Sequence, residues 1–458
     1  VRARTRTNWW QPARLALGTA SALGLARFAY GLLIPAMRAE LGWNLAQAGV
    51  LTTANGLGYL LGAVAAAPVE RRLGITATFR LGMVVTAAAL AGNAATSSYP
   101  VLLLMRAVAG ASGALVFIAG GVIASRMAAA RGSAAPLMIY FSGAGLGIAV
   151  SGAFIPPLLG QHPGRWPLAW AGLALGAALA ASGSWTAART RPISTGSTND
   201  TTGTDDLTGP TSGTSGRTSG TSGRTSGTSG RTSGTSGRTS GTSGPTSGTA
   251  TTAGPPSGTT TAGPTAAPVV DVRSVVRLWR VAAAYLLFAA GYIAYITFLS
   301  AYLAAHHAGV GQVIVTWAAL GLTAIVAPAL WSRPLDGWPG ARALAAALAG
   351  ISGAAVIALI SAAPAVVVVS AIGYGVTFLA VPAAITRLIH TGVPHADWTG
   401  ALAAFTVVFA VGQMAGPYLA GRLADQYGTG ATLVWTAVLC AAGAGLSLTI
   451  RAGQVRAG

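Results

Sequence analysis

Arg27 and Arg106 are the ionisable side chains set deepest within long apolar runs of this chain. A guanidinium at the centre of such a run costs about 2.5–3.5 kcal/mol on insertion scales, so it faces an interior partner or a polar cavity. Its planar fork of donors suits a carboxylate or phosphate. The nine acids (Glu40, Glu70, Asp200, Asp205, Asp206, Asp271, Asp336, Asp397 and Asp425) all fall in loops or at the ends of apolar runs. No embedded carboxylate is therefore at hand as a fixed partner. Three readings stay open for the two cations. They bond carbonyls, waters or Asn55 structurally; they bind the anionic group of a ligand; or they serve gating or coupling.

A second chemical feature is aromatic. Tyr285, Tyr292, Tyr295 and Tyr302 fall within about 100° of arc on one helix, and Phe288 joins that face. The stripe is either packing or ligand contact, and each buried hydroxyl needs a partner. Tyr30 stands one turn from Arg27, and Tyr59 one turn from Asn55; Tyr140 and Tyr374 are weaker choices.

Other chemistries find no residues. Cys440 is the sole cysteine, which excludes a disulfide or a Cys-based metal site within one chain. His162, His306, His307, His390 and His395 sit in loops or at run ends, without metal spacing. There is no Walker-type Gly-Lys loop and no Gly-x-Ser-x-Gly elbow. ATP-driven transport within the chain is excluded, and no catalytic residue, metal or cofactor is expected.

The elements that must hold these residues are membrane spans. Hydrophobic residues make up 52% of the 458 and charged residues only 8%, too apolar for a soluble protein. Bilayer-length stretches occur near 14–37, 46–68, 79–98, 100–126, 135–159 and 167–185. Six more follow near 279–304, 311–331, 342–361, 364–389, 398–420 and 432–450. A hydrocarbon core of about 30 Å needs about 20 apolar residues per helix, and backbone in lipid must close its own hydrogen bonds. An all-α polytopic membrane protein with 12 transmembrane helices is predicted. The start reads as an uncleaved first span, with Trp9 and Trp10 as interface anchors.

All 28 basic residues are arginines, giving a net charge of +19. Only Arg38, Arg165 and Arg422 fall on the outer side if the N-terminus is cytoplasmic; apart from the two embedded arginines, the rest lie inside. That bias orients both termini to the cytoplasm. Basic residues spread along a membrane face do not make a nucleic-acid site. The lipid bilayer and a small-molecule substrate are the expected partners of a monomer in the plasma or inner membrane.

Between the two blocks the composition collapses to Gly, Ser, Thr and Pro, with Arg217, Arg224, Arg231 and Arg238 seven residues apart. No apolar a/d positions accompany that period, so a coiled coil fails. The predicted organisation is an N-terminal six-helix half (1–185), a disordered cytoplasmic linker (186–272) and a C-terminal six-helix half (273–458). The linker is either a spacer or an Arg-bearing contact for anionic headgroups. Glycines three to five apart in Ala54–Gly62 and Gly143–Gly152 serve helix packing or hinges.

Several local sequences resemble the major facilitator superfamily. Arg106-Ala-Val-Ala-Gly110-Ala-Ser-Gly113 is similar to its fourth-helix motif. Gly143-x3-Gly147 with Ser151-Gly152 is similar to its antiporter motif, with Ile148 where the motif has Pro and Ser151 where it has Gly. Glu70-Arg-Arg-Leu-Gly74 resembles a degraded form of the signature loop G-x-L-A-D-x-x-G, whose counterpart after span eight keeps Asp336 and a displaced Gly340. A fuller match, Gly421-Arg-Leu-Ala-Asp425-Gln-Tyr-Gly428, follows span eleven. Gly24-Leu-Ala-Arg27-Phe-Ala-Tyr30-Gly31 with Pro35-Ala-Met37, Thr53-Ala-Asn55-Gly-Leu-Gly-Tyr59, and Gly291-Tyr292-Ile293 with Thr297-Phe-Leu resemble the YbfB/YjiJ-type branch.

The resemblance implies two halves rocking about a central site, with helices one and four lining one side of the cavity and helix seven the other. It would place Arg27 and Arg106 in one compartment; at 1.5 Å per residue both lie roughly 9–15 Å from the outer span ends. The implied substrate-binding set is Arg27, Tyr30, Asn55, Tyr59, Arg106, Tyr292 and Tyr295, and the gating or motif set is Gly74, Gly110, Gly143, Gly147 and Asp336. A secondary transporter of a small organic anion with an apolar or aromatic body fits that pocket. Efflux of amphipathic or drug-like compounds, and a non-transporting membrane sensor or scaffold, stay open beside it.

Overall fold

The computed structural model describes residues 9–160, 162–188 and 271–450. The linker expected over 186–272 falls almost wholly outside them. Twelve helices are long and apolar enough to cross a bilayer. The first six are α1 (Trp10–Leu41), α2 (Leu45–Leu73), α3 (Ile75–Ala94), α4 (Tyr99–Arg131), α5 (Ala135–Leu159) and α6 (Pro163–Ser184). The second six are α7 (Trp279–Ala305), α8 (Val310–Gly337), α9 (Arg342–Ile360), α10 (Pro364–Gly392), α11 (Gly400–Tyr427) and α12 (Gly430–Leu448). No strand occurs among the described residues. The expected spans are all present; α2, α4, α8 and α11 run several residues further at their C-terminal ends, each extension carrying at least one arginine beyond the apolar stretch.

The two sets of six repeat one pairing scheme. In the first, α2 packs on α4, α3 on α4 and α6, and α1 on α5; in the second, α8 packs on α10, α9 on α10 and α12, and α7 on α11. Small residues let these backbones approach, since lipid offers no hydrophobic drive between helices. A Cβ on Gly58 or Gly62 would strike the backbone of Ala107 or Ala111, and one on Gly110 would strike Asn55. On the α1–α5 contact, Gly143 lies against Ala16, and Gly147 against Ala20 and Gly24.

The sets meet along α1–α7, α2–α11 and α5–α8 and form one compact unit. Late α1 lies on late α7, where Gly31 faces the Ile296 carbonyl, so these two helices run in the same direction. Trp9 and the start of α7 therefore share one face, here the terminal face. Toward the opposite face the seam is tight. Gly49 lies against Pro417, Gly152 against Trp317 and Gly160 against Val310, and the Thr53 hydroxyl donates to the Met414 carbonyl at 2.6 Å.

One local departure bears on function. Ala20–Phe28 of α1 is π-helical, and the Ala29 N–H reaches the Gly24 carbonyl five residues back. Such turns are rare and often mark functional positions. Arg27 sits on the last turn of this segment.

Candidate functional site

Arg27 lies at the seam, 7% exposed. Its guanidinium carbon stands 5.2 Å from the centre of the Tyr59 ring. The cation is within electrostatic reach of the hydroxyls of both Tyr59 and Tyr292, one from each set of six helices. Its buried Nε has no hydrogen-bond acceptor among the described residues. The wider turn of the π segment and the glycine contact at Gly24 set the position of this side chain.

Across the seam, α7 and α11 supply an aromatic wall with one polar pair. Tyr292 stacks on Phe288 at 4.6 Å and Phe409 at 5.8 Å, and Phe378 lies 6.4 Å away. Phe28, next to Arg27, meets Phe378 edge-on at 6.2 Å. The Gln413 amide donates to the Tyr292 hydroxyl. The other end of that amide, Oε1, is buried without a partner among the described residues. It lies near Gly56 of α2, where a Cβ would come within 3.8 Å of it. The seam thus gathers one cation, two phenol hydroxyls and one amide against stacked rings. That arrangement can hold a flat or apolar body and orient one charged end.

Gln413 escapes a search for charges and tyrosines because it is neutral. Its signal is nevertheless present: it is the one amide in the middle of α11, an otherwise largely apolar span.

The other expected residues take distinct places. Arg106 is wholly buried inside the first set of helices. Its Nη1 donates to the Ala26 carbonyl, and its guanidinium lies over the rings of Tyr30 at 4.7 Å and Trp170 at 5.7 Å. Asn55 donates to the Arg106 carbonyl at 3.1 Å. Tyr30 donates to the Ala48 carbonyl at 3.0 Å. Tyr295 is committed within the second set, hydrogen-bonded to Ser370 at 2.7 Å and stacked on Tyr374 at 4.1 Å. The structure brings Arg27, Tyr59 and Tyr292 together, and sets Arg106 with Tyr30 in a neighbouring cluster.

Among the motif residues, Gly110, Gly143 and Gly147 are close helix contacts. Gly74 ends α2 with φ +81°. Asp336 engages through its main chain, its carbonyl accepting from Arg387 at 2.7 Å. No cluster of His, Cys, Asp or Glu among the described residues could hold a metal.

Twelve spans in two sets of six, with a polar cluster at the seam between them, make a multi-pass membrane protein, and its family makes it a transporter rather than an enzyme. The family model described as "Uncharacterised MFS-type transporter YbfB" matches residues 19–203 and 250–452, and the chain belongs to that family of major facilitator transporters. The solved structures that share the fold include two of a nucleoside transporter. A single-substitution mutant of nucleoside transporter NupG has TM-score 0.63 at 12% identity, covering 95% of this chain and 98% of that one. Nucleoside transporter NupG itself has TM-score 0.62 at 11% identity, covering 95% and 97%. No curated protein matches the chain.

Proposed function

We propose that the protein is a secondary transporter working by alternating access, which moves a small organic anion with a flat apolar body through the seam. Arg27 takes the anionic end, Tyr59, Tyr292 and Gln413 orient it, and the rings of Phe288, Phe378 and Phe409 carry the body. Arg106, Tyr30, Asn55 and Tyr295 hold the surrounding helices in place. Gly74, Gly110, Gly143, Gly147 and Asp336 belong to the parts that move or pack during the exchange. The proposal includes a monomer with both termini cytoplasmic, in line with the arginine distribution.

The single observation that carries this reading is the place of the Arg27 cation, at the seam beside Tyr59 of one set and Tyr292 of the other, with no acceptor for its Nε among the described residues. A mid-span charge needs compensation, and an anionic ligand supplies it with a bidentate match. A neutral nucleoside, the ligand named for the two solved structures, would leave that charge uncompensated.

The test is a thermal-shift panel of aromatic and aliphatic carboxylates beside their neutral amides, on wild type and Arg27→Gln. Carboxylates should raise Tm where amides do not. Affinity should fall about ten-fold or more in the variant, the order expected for one charge-assisted hydrogen bond. Equal shifts from acids and amides, or undiminished anion binding by Arg27→Gln, would overturn the reading.

A further inference from the structure

The carboxylate of Asp425, at the end of α11, accepts from the backbone N–H groups of Leu45 at 2.7 Å and Ala46 at 2.9 Å. These are the first two amides of α2, a helix of the other six-helix set. The first-turn amides of any helix lack partners within it. In α2, Gln47 N–H is taken by the Asn44 side chain at 2.7 Å and Ala48 N–H by the Asn44 carbonyl at 3.2 Å. The remaining two depend on Asp425, across the seam. The charge also suits its place, since a helix N-terminus attracts anions. Arg38 of α1 stands within electrostatic range of the same carboxylate.

The surrounding residues bring the two ends together. One turn before Asp425, Gly421 lies against the backbone of Leu45 and Ala46, where a Cβ would come within 2.5 Å of the Leu45 carbonyl. Three residues after Asp425, Gly428 ends α11 at φ +86° and ψ 166°. The terminal face carries the same backbone device without the acid. Gly74 ends α2 at φ +81° and ψ 156°, and its N–H meets the Glu70 carbonyl as that of Gly428 meets Ala424. The residue three before Gly74, however, is Arg71, which is exposed. A cation there is repelled by a helix N-terminus and accepts no hydrogen bond.

We propose that Asp425 is the latch holding the face opposite the termini closed, and that the terminal face has no equal counterpart among the described residues. Opening the latched face requires the carboxylate to leave both α2 amides, so this one residue biases the resting protein toward opening at the terminal face. The transport cycle then works against the latch in one half-turn only. None of this depends on which ligand occupies the seam.

The experiment measures spin–spin distances across the latched face in the full chain, with labels at Ser97→Cys and Ala305→Cys and with Cys440→Ser. Wild type should give a single short distance. In Asp425→Asn, which keeps the shape but loses the charge and one acceptor, the ratio of long to short populations should rise at least five-fold. Leu45→Pro tests the other partner. It deletes one N–H donor at a position where the preceding Asn44, at φ −79° and ψ 170°, suits proline, and it should shift the ratio in the same direction by less. If Asp425→Asn fails to fold, Leu45→Pro carries the test. A monodisperse variant that keeps the wild-type distances overturns the proposal, and so does a lowered Tm without any change in distance, which is the mark of a local cap.

Discussion

Arg27 and Arg106 are both arginines at mid-span, yet their surroundings ask different things of the guanidinium. Arg106 uses its shape, lying over two rings and donating to the Ala26 carbonyl. Arg27 lies over one ring, at the seam; both arginines leave Nε without an acceptor among the described residues, and Arg106 leaves Nη2 so as well. Lysine keeps the charge and loses the plane. Arg106→Lys should therefore cost about 2 kcal/mol, the value of the charged hydrogen bond to the Ala26 carbonyl that an ammonium cannot keep while also covering both rings. Arg27→Lys, which gives up no carbonyl hydrogen bond among the described residues and can keep its charge over the single Tyr59 ring, should cost less, about 0.5–1 kcal/mol. Denaturation of the two variants in detergent, side by side, checks the difference; equal losses would mean that Arg27 is structural too. Residue type alone made both arginines visible in the sequence, but not which of them faces the seam. The tyrosine stripe shows the same limit. Tyr292 and Tyr295 share one arc of α7, but Tyr295 meets Ser370 of α10, whereas Tyr292 meets Gln413 of α11. An arc on one helix cannot say which neighbour covers each part of it. Gln413→Leu would leave the Tyr292 hydroxyl without its donor, and ligand affinity should fall roughly three- to ten-fold, as for one neutral hydrogen bond. An unchanged dissociation constant would remove Gln413 from the site.

Elements were more legible than contacts, because the bilayer imposes a length and an apolar composition that sequence carries directly. The π segment of α1 was not legible. Its five-residue hydrogen bonding has no compositional signature and accompanies a tertiary approach, Gly24 against Gly147. Likewise the glycines of α2 and α4 are visible as a pattern, but only the helix pairing shows which of them touch backbone. Gly58 and Gly110 do, on opposite sides of one contact, whereas a Cβ on Gly353 of α9 would enter open space. Gly58→Val should therefore separate α2 from α4 and cost more than about 3 kcal/mol, the upper range for overpacking a core. Gly353→Ala should be neutral or stabilise by up to about 1 kcal/mol through helix propensity. Yield of monodisperse protein and Tm for the two variants separate these outcomes. A tolerated Gly58→Val would show that α2 and α4 can move apart, and the helix pairing above would need revision.

At the scale of the whole molecule, the repeated pairing within each set of six contrasts with the seam, where the sets touch through α1–α7, α2–α11 and α5–α8. Interior contacts of a set recur in its partner, so each can move as a body, and the seam is where motion must be absorbed. If the sets rock, contacts such as Gly160 against Val310 on the latched face must break once in every cycle. A covalent bond there should stop transport without stopping binding. Paired substitutions Gly160→Cys and Val310→Cys place two thiols across this contact, and the one native cysteine, Cys440, is buried and unable to compete. Oxidised protein in liposomes should bind ligand, as judged by thermal shift, and show no uptake, while reduction should restore uptake to the level of the unoxidised variant. Transport that continues at full rate with the bond formed would mean that substrate crosses without separation of α5 from α8. The seam would then act as a fixed channel, and alternation of the two sets would play no part in its function.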